Sequence, residues 1–217
     1  MPSVTVGILT GETGRFSQFW VNMLGLDLPD GSQIITKRSI FVAEARNEII
    51  RLSGHTDYVW FIDDDHTFEP DLLHNLLHRR VPIVQPLVLT RKSPFGPVMM
   101  PTEGSKPGTY KRAALDDAKT HGLVEMIAVG AGGMLIHRDV LNSVRDPWFE
   151  TQTEDVNFCA KARAKGFKIY TDLSNRMGHM NVGTVTPVVK DGKWMTELTF
   201  GEGRIYLPAA TKKEEPK

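Results

Sequence analysis

Residues 58–66 read Tyr58-Val59-Trp60-Phe61-Ile62-Asp63-Asp64-Asp65-His66, and this stretch decides the fold. An uninterrupted apolar run that stops abruptly at consecutive acids is typical of a buried strand with carboxylates at its carboxyl end. The next segment opens with Glu69-Pro70 and places leucines at helical spacing, and residues 81–89 then return as an apolar run. Pro suits the first turn of a helix. The stretch and its surroundings therefore predict a strand, a helix and a second strand.

The same alternation continues in both directions. Apolar runs at 4–9, 33–36, 123–129, 134–137 and 167–173 are predicted strands, and amphipathic segments at 16–24, 42–52 and 153–165 are predicted helices, the last capped by Thr153. Residues 176–179 are a predicted polar turn, and residues 185–189 and 194–200 a peripheral C-terminal hairpin. We expect an α/β fold with a mostly parallel central sheet, flanking helices, and ligands beyond the carboxyl ends of the strands.

Composition limits the class of protein. The 217 residues are 41% hydrophobic and 24% charged, which is ordinary for a globular chain, and predict a single domain over residues 1–210 with a disordered charged tail at 211–217. Lys plus Arg and Asp plus Glu both number 26, so the net charge is zero and the broad positive field of non-specific nucleic-acid binders is missing. The single cysteine, Cys159, excludes an internal disulfide, and no signal peptide or membrane-spanning run is evident. We expect a cytoplasmic protein with no membrane partner.

The acids after the strand predict a metal site. Successive carboxylates repel one another, and a divalent cation relieves that repulsion. In extended backbone Asp63 and Asp65 point to one side, so they are the expected ligands. A calcium loop of the helix-loop-helix type would need Gly and Glu where Phe68 and His74 stand, which excludes it.

A second interpretation of the same residues stays open. Asp63, Asp65 and Thr67 resemble the Asp-x-Asp-x-Thr motif of haloacid-dehalogenase-like phosphohydrolases, in which Asp63 would be the nucleophile. That family places the motif near the start of the chain and a later pair of acids at a strand end. Here Glu154 and Asp155 open a predicted helix instead, which favours the interpretation that follows.

The order of several motifs resembles the GT-A glycosyltransferases, in particular small family-2-like members that include phage-encoded ones. The matching segments are Ala45-Arg46-Asn47, residues 61–65 with Pro70-Asp71, Arg91 with Pro94, residues 129–136, Pro147-Trp148-Phe149, residues 154–159 and Gly178-His179. The resemblance covers most of residues 4–181. It implies a single GT-A-like, Rossmann-related domain.

The resemblance also implies roles for individual residues. Asp65, with Asp63 and His179, would hold Mn²⁺ or Mg²⁺ on the diphosphate of a nucleoside diphosphate sugar, and Asp155 would be the general base, with Glu154 as the alternative. The implied donor contacts are Thr10, Glu12, Thr13, Arg46, Asn47, Asp63, Asp64 and Arg91, and the implied acceptor side is Gly132, Gly133 and Trp148. Several of these residues can also be explained without a functional role. Acids are favoured at the start of a helix, an arginine can form an ion pair on the surface, glycines occur in turns, and a tryptophan can pack in the core.

The expected function is therefore a metal-dependent transfer of a sugar, with inversion, to an acceptor hydroxyl. The resemblance to phage enzymes suggests a hydroxylated base in DNA or a virion protein as acceptor, and Lys106, Lys111 and Arg112 in the long segment 91–122 could contact DNA phosphates. The alternatives are the phosphohydrolase described above and a sugar-nucleotide-binding module without turnover. The sequence leaves the oligomeric state open.

Overall fold

The computed structural model describes residues 1–11, 16–38, 41–91, 95–104, 109–115, 120–150, 153–180, 183–200 and 203–209. The predicted tail at 211–217 lies outside these ranges. The helices are α1 (Ser17–Leu24), α2 (Val42–Leu52), α3 (Leu72–His78), α4 (Arg138–Val144) and α5 (Glu154–Ala164). The strands are β1 (Val4–Thr10), β2 (Gln33–Arg38), β3 (Tyr58–Asp63), β4 (His66–Thr67), β5 (Ile83–Leu87), β6 (Met99–Met100), β7 (Thr102–Glu103), β8 (Tyr110–Lys111), β9 (Leu123–Met126), β10 (Ala128–Val129), β11 (Leu135–His137), β12 (Ile169–Arg176), β13 (Gly178–Met180), β14 (Thr184–Lys190), β15 (Lys193–Phe200) and β16 (Gly203–Pro208).

The central sheet has seven strands in the order β2-β1-β3-β11-β5-β12-β9. The pairs β1–β2, β1–β3 and β5–β12 are parallel. β11 lies between β3 and β5 and is antiparallel to both, and β9 is antiparallel to β12 at the edge. The five strands β2, β1, β3, β5 and β12 thus run in one direction, which confirms the predicted mostly parallel α/β sheet. The reversed directions of β9 and β11 were not predicted.

Both faces of this sheet are covered, and the continuous apolar runs of the sequence follow from that. Along β3, Val59 and Phe61 pack with residues of α2, α4 and α5, whereas Trp60 and Ile62 pack with residues of α1 and α3. A strand buried on both faces needs apolar side chains at every position rather than at alternate positions. The run that ends at Asp63 is therefore a central strand.

The C-terminal region forms more than the predicted hairpin. A second sheet of five strands has the order β16-β15-β14-β13-β4, with antiparallel pairing throughout. The prediction of a polar turn at residues 176–179 is wrong, because β12 extends through Arg176 and β13 begins at Gly178. His179 therefore lies on a strand, paired with β4 directly after the acidic stretch.

The helices differ from the prediction at their ends. α3 begins at Leu72, so Pro70 precedes the helix rather than occupying its first turn. Thr153 is the residue before α5, but its side chain makes no capping hydrogen bond. The short helix α4 was not predicted. Within the described ranges, no helix combines the length and the apolar character needed to span a bilayer.

Candidate active site

The carboxyl ends of β1 and β3 are fastened together at the acidic stretch. The backbone N–H of Gly11 donates to Asp64 Oδ2 at 3.1 Å, so the Asp64 carboxylate holds the chain that leaves β1. Thr10 lies at the same strand end, and its hydroxyl donates to the Lys37 carbonyl at 3.4 Å. The other donor contacts predicted in this loop, Glu12 and Thr13, lie outside the described residues.

Potential metal ligands come together just beyond β3. One ligand atom from each of Asp65, His66 and His179 lies within 4.8 Å of the others. His66 on β4 and His179 on β13 face each other as partners in the antiparallel ladder, and their rings stack with centroids 4.6 Å apart. Asp65 Oδ2 lies 3.5 Å from His179 Nε2, and Asp65 Oδ1 lies 3.6 Å from His66 Nδ1. The pairing of two short strands thus assembles this cluster, which we call the Asp65 cluster.

Backbone carbonyls orient both imidazoles. His179 Nδ1 donates to the Leu89 carbonyl at 2.8 Å, and His66 Nδ1 lies 3.3 Å from the Asp63 carbonyl, which can only accept. These contacts leave Nε2 of each ring for other partners, the arrangement typical of histidines that bind metals. Burial lowers the pKa of His66, which favours the neutral ring that a cation requires.

Asp65 provides the charge of the cluster. Burial acts to raise its pKa, but the contacts with His179, His66 and Arg91 outweigh burial and lower the pKa to about 2. Its Oδ1 is buried and has no hydrogen-bond partner among the described residues. An ionised carboxylate with an unsatisfied buried oxygen, beside two imidazoles, fits a divalent cation such as Mn²⁺.

Asp63, the other predicted ligand, has a different partner. Its Oδ1 lies 3.3 Å from Nη2 of Arg46, which is almost fully buried. The Arg46 guanidinium also lies 3.7 Å from Glu154 Oε1 through Nε, and it sits over the rings of Phe61 and Phe149 at 5.3 and 5.8 Å. Arg46 therefore joins the acidic end of β3 to the first turn of α5.

Glu154 and Asp155 lie in that first turn, as predicted. Burial raises the pKa of both carboxyls, while the charge of Arg46 acts in the opposite direction on each. Asp155 Oδ1 also accepts the backbone N–H of Val156 at 2.7 Å, which leaves Oδ2 for another group. A buried carboxylate that holds a proton more tightly than usual is suited to act as a general base near neutral pH.

Asn47 and Trp148 make backbone contacts instead of projecting free polar atoms. Asn47 is buried, donates to the Phe149 carbonyl at 3.0 Å and accepts the Phe149 N–H at 2.9 Å. Trp148 Nε1 donates to the Leu141 carbonyl at 2.8 Å, and its ring packs against the core. Both residues hold the segment before α5 in place, and their contacts with substrates stay predictions.

The glycine run passes between the Asp65 cluster and α5. A Cβ on Gly132 would lie 2.7 Å from His66 Cε1 and 2.8 Å from Asp63 Oδ2, and one on Gly130 would lie 3.7 Å from Asp155 Oδ2. Gly133 has a φ of 92° and its carbonyl accepts from Trp60 Nε1 at 3.0 Å. Glycine is thus required at Gly132 by its neighbours and at Gly133 by its backbone as well.

Sequence reasoning missed two residues of this site. His66 belongs to the Asp65 cluster, and its position directly after three acids was the available signal. Gln85 on β5 is buried, donates to the Gly132 carbonyl at 3.0 Å and has an unpartnered Oε1. No local pattern marks a polar residue inside an apolar strand as part of a site.

The fold is GT-A-like, as the resemblance implied, and solved structures support this. Similar structures are A197 from STIV, with a TM-score of 0.60, 14% identity and coverage of 99% of this chain and 100% of that one, and GalNAc-T7 with UDP, GalNAc and Mn²⁺, with a TM-score of 0.54 and 12% identity. The second match covers 83% of this chain and 44% of GalNAc-T7, so this chain corresponds to less than half of that protein. No sequence family and no curated protein matches the chain.

Proposed function

We propose that the chain is a metal-dependent glycosyltransferase that uses a nucleoside diphosphate sugar. The observation that supports this most is the Asp65 cluster just beyond β3, with Glu154 of α5 joined to the neighbouring Asp63 through Arg46. The GalNAc-T7 structure contains UDP, a sugar and Mn²⁺, which is in line with such a donor and such a cation here.

Asp65, His66 and His179 would hold Mn²⁺ or Mg²⁺, and Asp63 would lie beside them through its contact with Arg46. A cation there would neutralise the charge that develops on a diphosphate leaving group. Asp64 and the end of β1 would position the nucleotide, together with Thr10, Glu12 and Thr13. This part of the proposal accounts for consecutive acids that serve three different contacts.

Asp155 would remove the proton from the acceptor hydroxyl as that oxygen attacks the sugar carbon from the face opposite the leaving group, which gives inversion. Glu154, tied to Arg46, would orient the acceptor or the base. The glycine run would form the acceptor side, because Gly130 lies against Asp155 and Gly132 against the cluster. For the acceptor we propose a hydroxylated DNA base or a virion protein, with Lys111, Arg112 and Lys106, which lies outside the described residues, as the contacts to DNA phosphates.

The experiment is a screen of nucleotide sugars for release of nucleoside diphosphate, with and without Mn²⁺. We expect release that needs the cation and that falls by about 100-fold or more in Asp65→Ala and in Asp155→Asn, since each removes a group that acts on the developing charge. Asp139→Ala, an exposed carboxylate on α4, is the matched control and should leave release unchanged. Full activity of Asp65→Ala would contradict the proposal.

Two other outcomes identify the alternatives. Phosphate release from simple phosphoesters without a nucleotide sugar, lost in Asp63→Asn, would indicate a phosphohydrolase. Donor binding without turnover, equal in the wild type and Asp155→Asn, would indicate a binding module.

A further inference from the structure

The guanidinium of Arg91 lies on a carboxylate oxygen of the Asp65 cluster. Arg91 Nη1 is 2.7 Å from Asp65 Oδ2, and this is the oxygen that faces His179 Nε2 at 3.5 Å. A positive side chain and a divalent cation bound to one carboxylate repel each other strongly. The position of Arg91 therefore bears directly on cation binding.

Backbone hydrogen bonds hold the residues that directly precede Arg91. After β5, residues 88–90 pair with residues 96–98: the Val98 N–H donates to the Val88 carbonyl at 2.9 Å and the Thr90 N–H donates to the Gly96 carbonyl at 2.9 Å. Arg91 follows directly after this hydrogen-bonded segment.

The same segment orients a ligand of the cluster. The Leu89 carbonyl accepts from His179 Nδ1 at 2.8 Å, so residues 89–91 contact both His179 and Asp65. A change in where Arg91 points can therefore occur without moving His179, because one contact is made by the backbone and the other by a long side chain.

The two side chains of the Arg91–Asp65 ion pair differ in their exposure to solvent. The Asp65 side chain is 13% exposed, whereas that of Arg91 is 42% exposed. Solvent can hydrate the Arg91 guanidinium when it leaves the pair, so releasing Arg91 costs less than breaking a pair in which both members are buried. Asp65 stays where the strand end places it, and Arg91 is the partner that can turn away.

The fork of an arginine binds carboxylates and phosphates equally well. We propose that Arg91 couples metal binding to donor binding: it pairs with Asp65 until a divalent cation binds that carboxylate, and it then turns to the donor diphosphate. This rests on the proposed function. The cation thereby releases the group that receives the diphosphate, which makes the two ligands bind cooperatively.

Cooperativity of this kind is measured as the factor by which one ligand changes the affinity for the other, and it is the same in both directions. The probes are Mn²⁺ alone, followed by electron paramagnetic resonance, and labelled inorganic pyrophosphate by equilibrium dialysis, with and without saturating Mn²⁺. The variants are Arg91→Ala, Arg91→Lys and the control Arg204→Ala, which removes an exposed arginine from β16.

In the wild type we expect Mn²⁺ to strengthen pyrophosphate binding by about tenfold or more, within the usual range of coupling between sites. Arg91→Ala should bind Mn²⁺ about fivefold more tightly, because the competing charge is gone, and should lose most of the coupling. Arg91→Lys should still compete in part with Mn²⁺, because it keeps the positive charge. It should show weaker coupling between Mn²⁺ and pyrophosphate than the wild type, because lysine lacks the bidentate guanidinium. Arg204→Ala should match the wild type in both measurements.

The outcomes separate this inference from the proposed function. If Asp65→Asn abolishes Mn²⁺ binding but Arg91→Ala leaves both the Mn²⁺ affinity and the coupling unchanged, the role of Arg91 is wrong and the metal site stands. If Asp65→Asn leaves Mn²⁺ binding unchanged, the proposed metal site is wrong as well. Weaker Mn²⁺ binding in Arg91→Ala would also overturn the inference, because it would make Arg91 a support of the site rather than a competitor.

Discussion

Arg46 shows how a single buried charge can organise a site. Its side chain is 4% exposed, and its guanidinium lies between Asp63, Glu154 and two aromatic rings. A buried carboxylate without a partner is costly, so the Glu154 carboxylate, which is 16% exposed, depends on Arg46 for its charge. The residue thus links the strand end to α5 electrostatically as well as by packing.

Arg46→Ala should therefore lower the free energy of unfolding by about 3–5 kcal/mol, the cost of leaving a buried charge unpaired. Arg51 is the matched control, because it lies on the same helix, pairs with Glu44 and Asp146, and is 42% exposed. Solvent weakens such pairs, so Arg51→Ala should cost less than about 1 kcal/mol. Urea unfolding of both variants measures the difference, and equal losses would show that Arg46 is not the organising charge.

For individual residues, the sequence was enough to predict candidates for the site, but it was not enough to predict the contacts that each of them makes. The residue types of Asp65 and His179 have a direct chemical meaning, so both could be predicted as candidates for a cation. Asn47 and His66 could not be assigned, since one is used by the Phe149 backbone and the other depends on strand pairing. Such contacts come from tertiary structure, which short motifs do not encode.

Among the elements, the short pair β4–β13 is the one on which the Asp65 cluster depends. Gly178 opens β13 opposite Thr67, and a Cβ there would meet the Thr67 hydroxyl and would lie 2.8 Å from Thr184 Cγ2 on β14. Three strands therefore approach one another at a position where only glycine fits. His179 is the next residue, so any shift of β13 moves a cation ligand.

Gly178→Ala should weaken Mn²⁺ binding by about tenfold or more, the usual effect of disturbing residues that orient metal ligands. Gly25→Ala is the control, because a Cβ there would meet only ordinary contacts at 3.7 Å or more. Both affinities can be measured by electron paramagnetic resonance, with circular dichroism to verify that each variant is folded. An unchanged affinity in Gly178→Ala would mean that β13 does not set the position of His179.

The sequence predicted the strands of the central sheet but not how all of them pair. An apolar run reports burial and carries no direction, so the reversed strands β9 and β11 looked like the parallel ones. The second sheet was seen only as a hairpin, because β14 and β15 are neighbours in the chain whereas β4 and β13 are far apart in it. Local patterns therefore predict local pairing, and distant pairing needs the whole fold.

For the molecule as a whole, the fold resembles those of two solved structures with which the chain shares only 14% and 12% sequence identity. In this chain the fold depends on the apolar strand β3, which ends in acids, and on the burial of both sheet faces. Many apolar side chains fill such a core equally well. Buried charges are different, because each needs a particular partner, and they connect the stability of the whole molecule to its site.

Asp155 and Glu154 provide the test of that connection. Burial raises the pKa of Asp155 above its ordinary 3.8 and that of Glu154 above 4.5. Between the ordinary and the raised pKa the native protein holds protons that the unfolded chain has released, so stability falls as the pH rises through this window. Asp155→Asn keeps the oxygen that accepts the Val156 N–H but removes the charge.

Asp155→Asn should therefore raise the melting temperature at pH 7–8 while it abolishes turnover. The gain should be small near pH 4, grow as the pH rises through the raised pKa, and then level off. Glu154→Gln should show the same trend, and Asp139→Asn, at an exposed position, should show none. Thermal unfolding from pH 4 to 8 measures all three. A melting temperature for Asp155→Asn at or below that of the wild type at pH 8 would mean that the carboxylate is stabilised in the native site, and its role as a strained, buried base would be wrong.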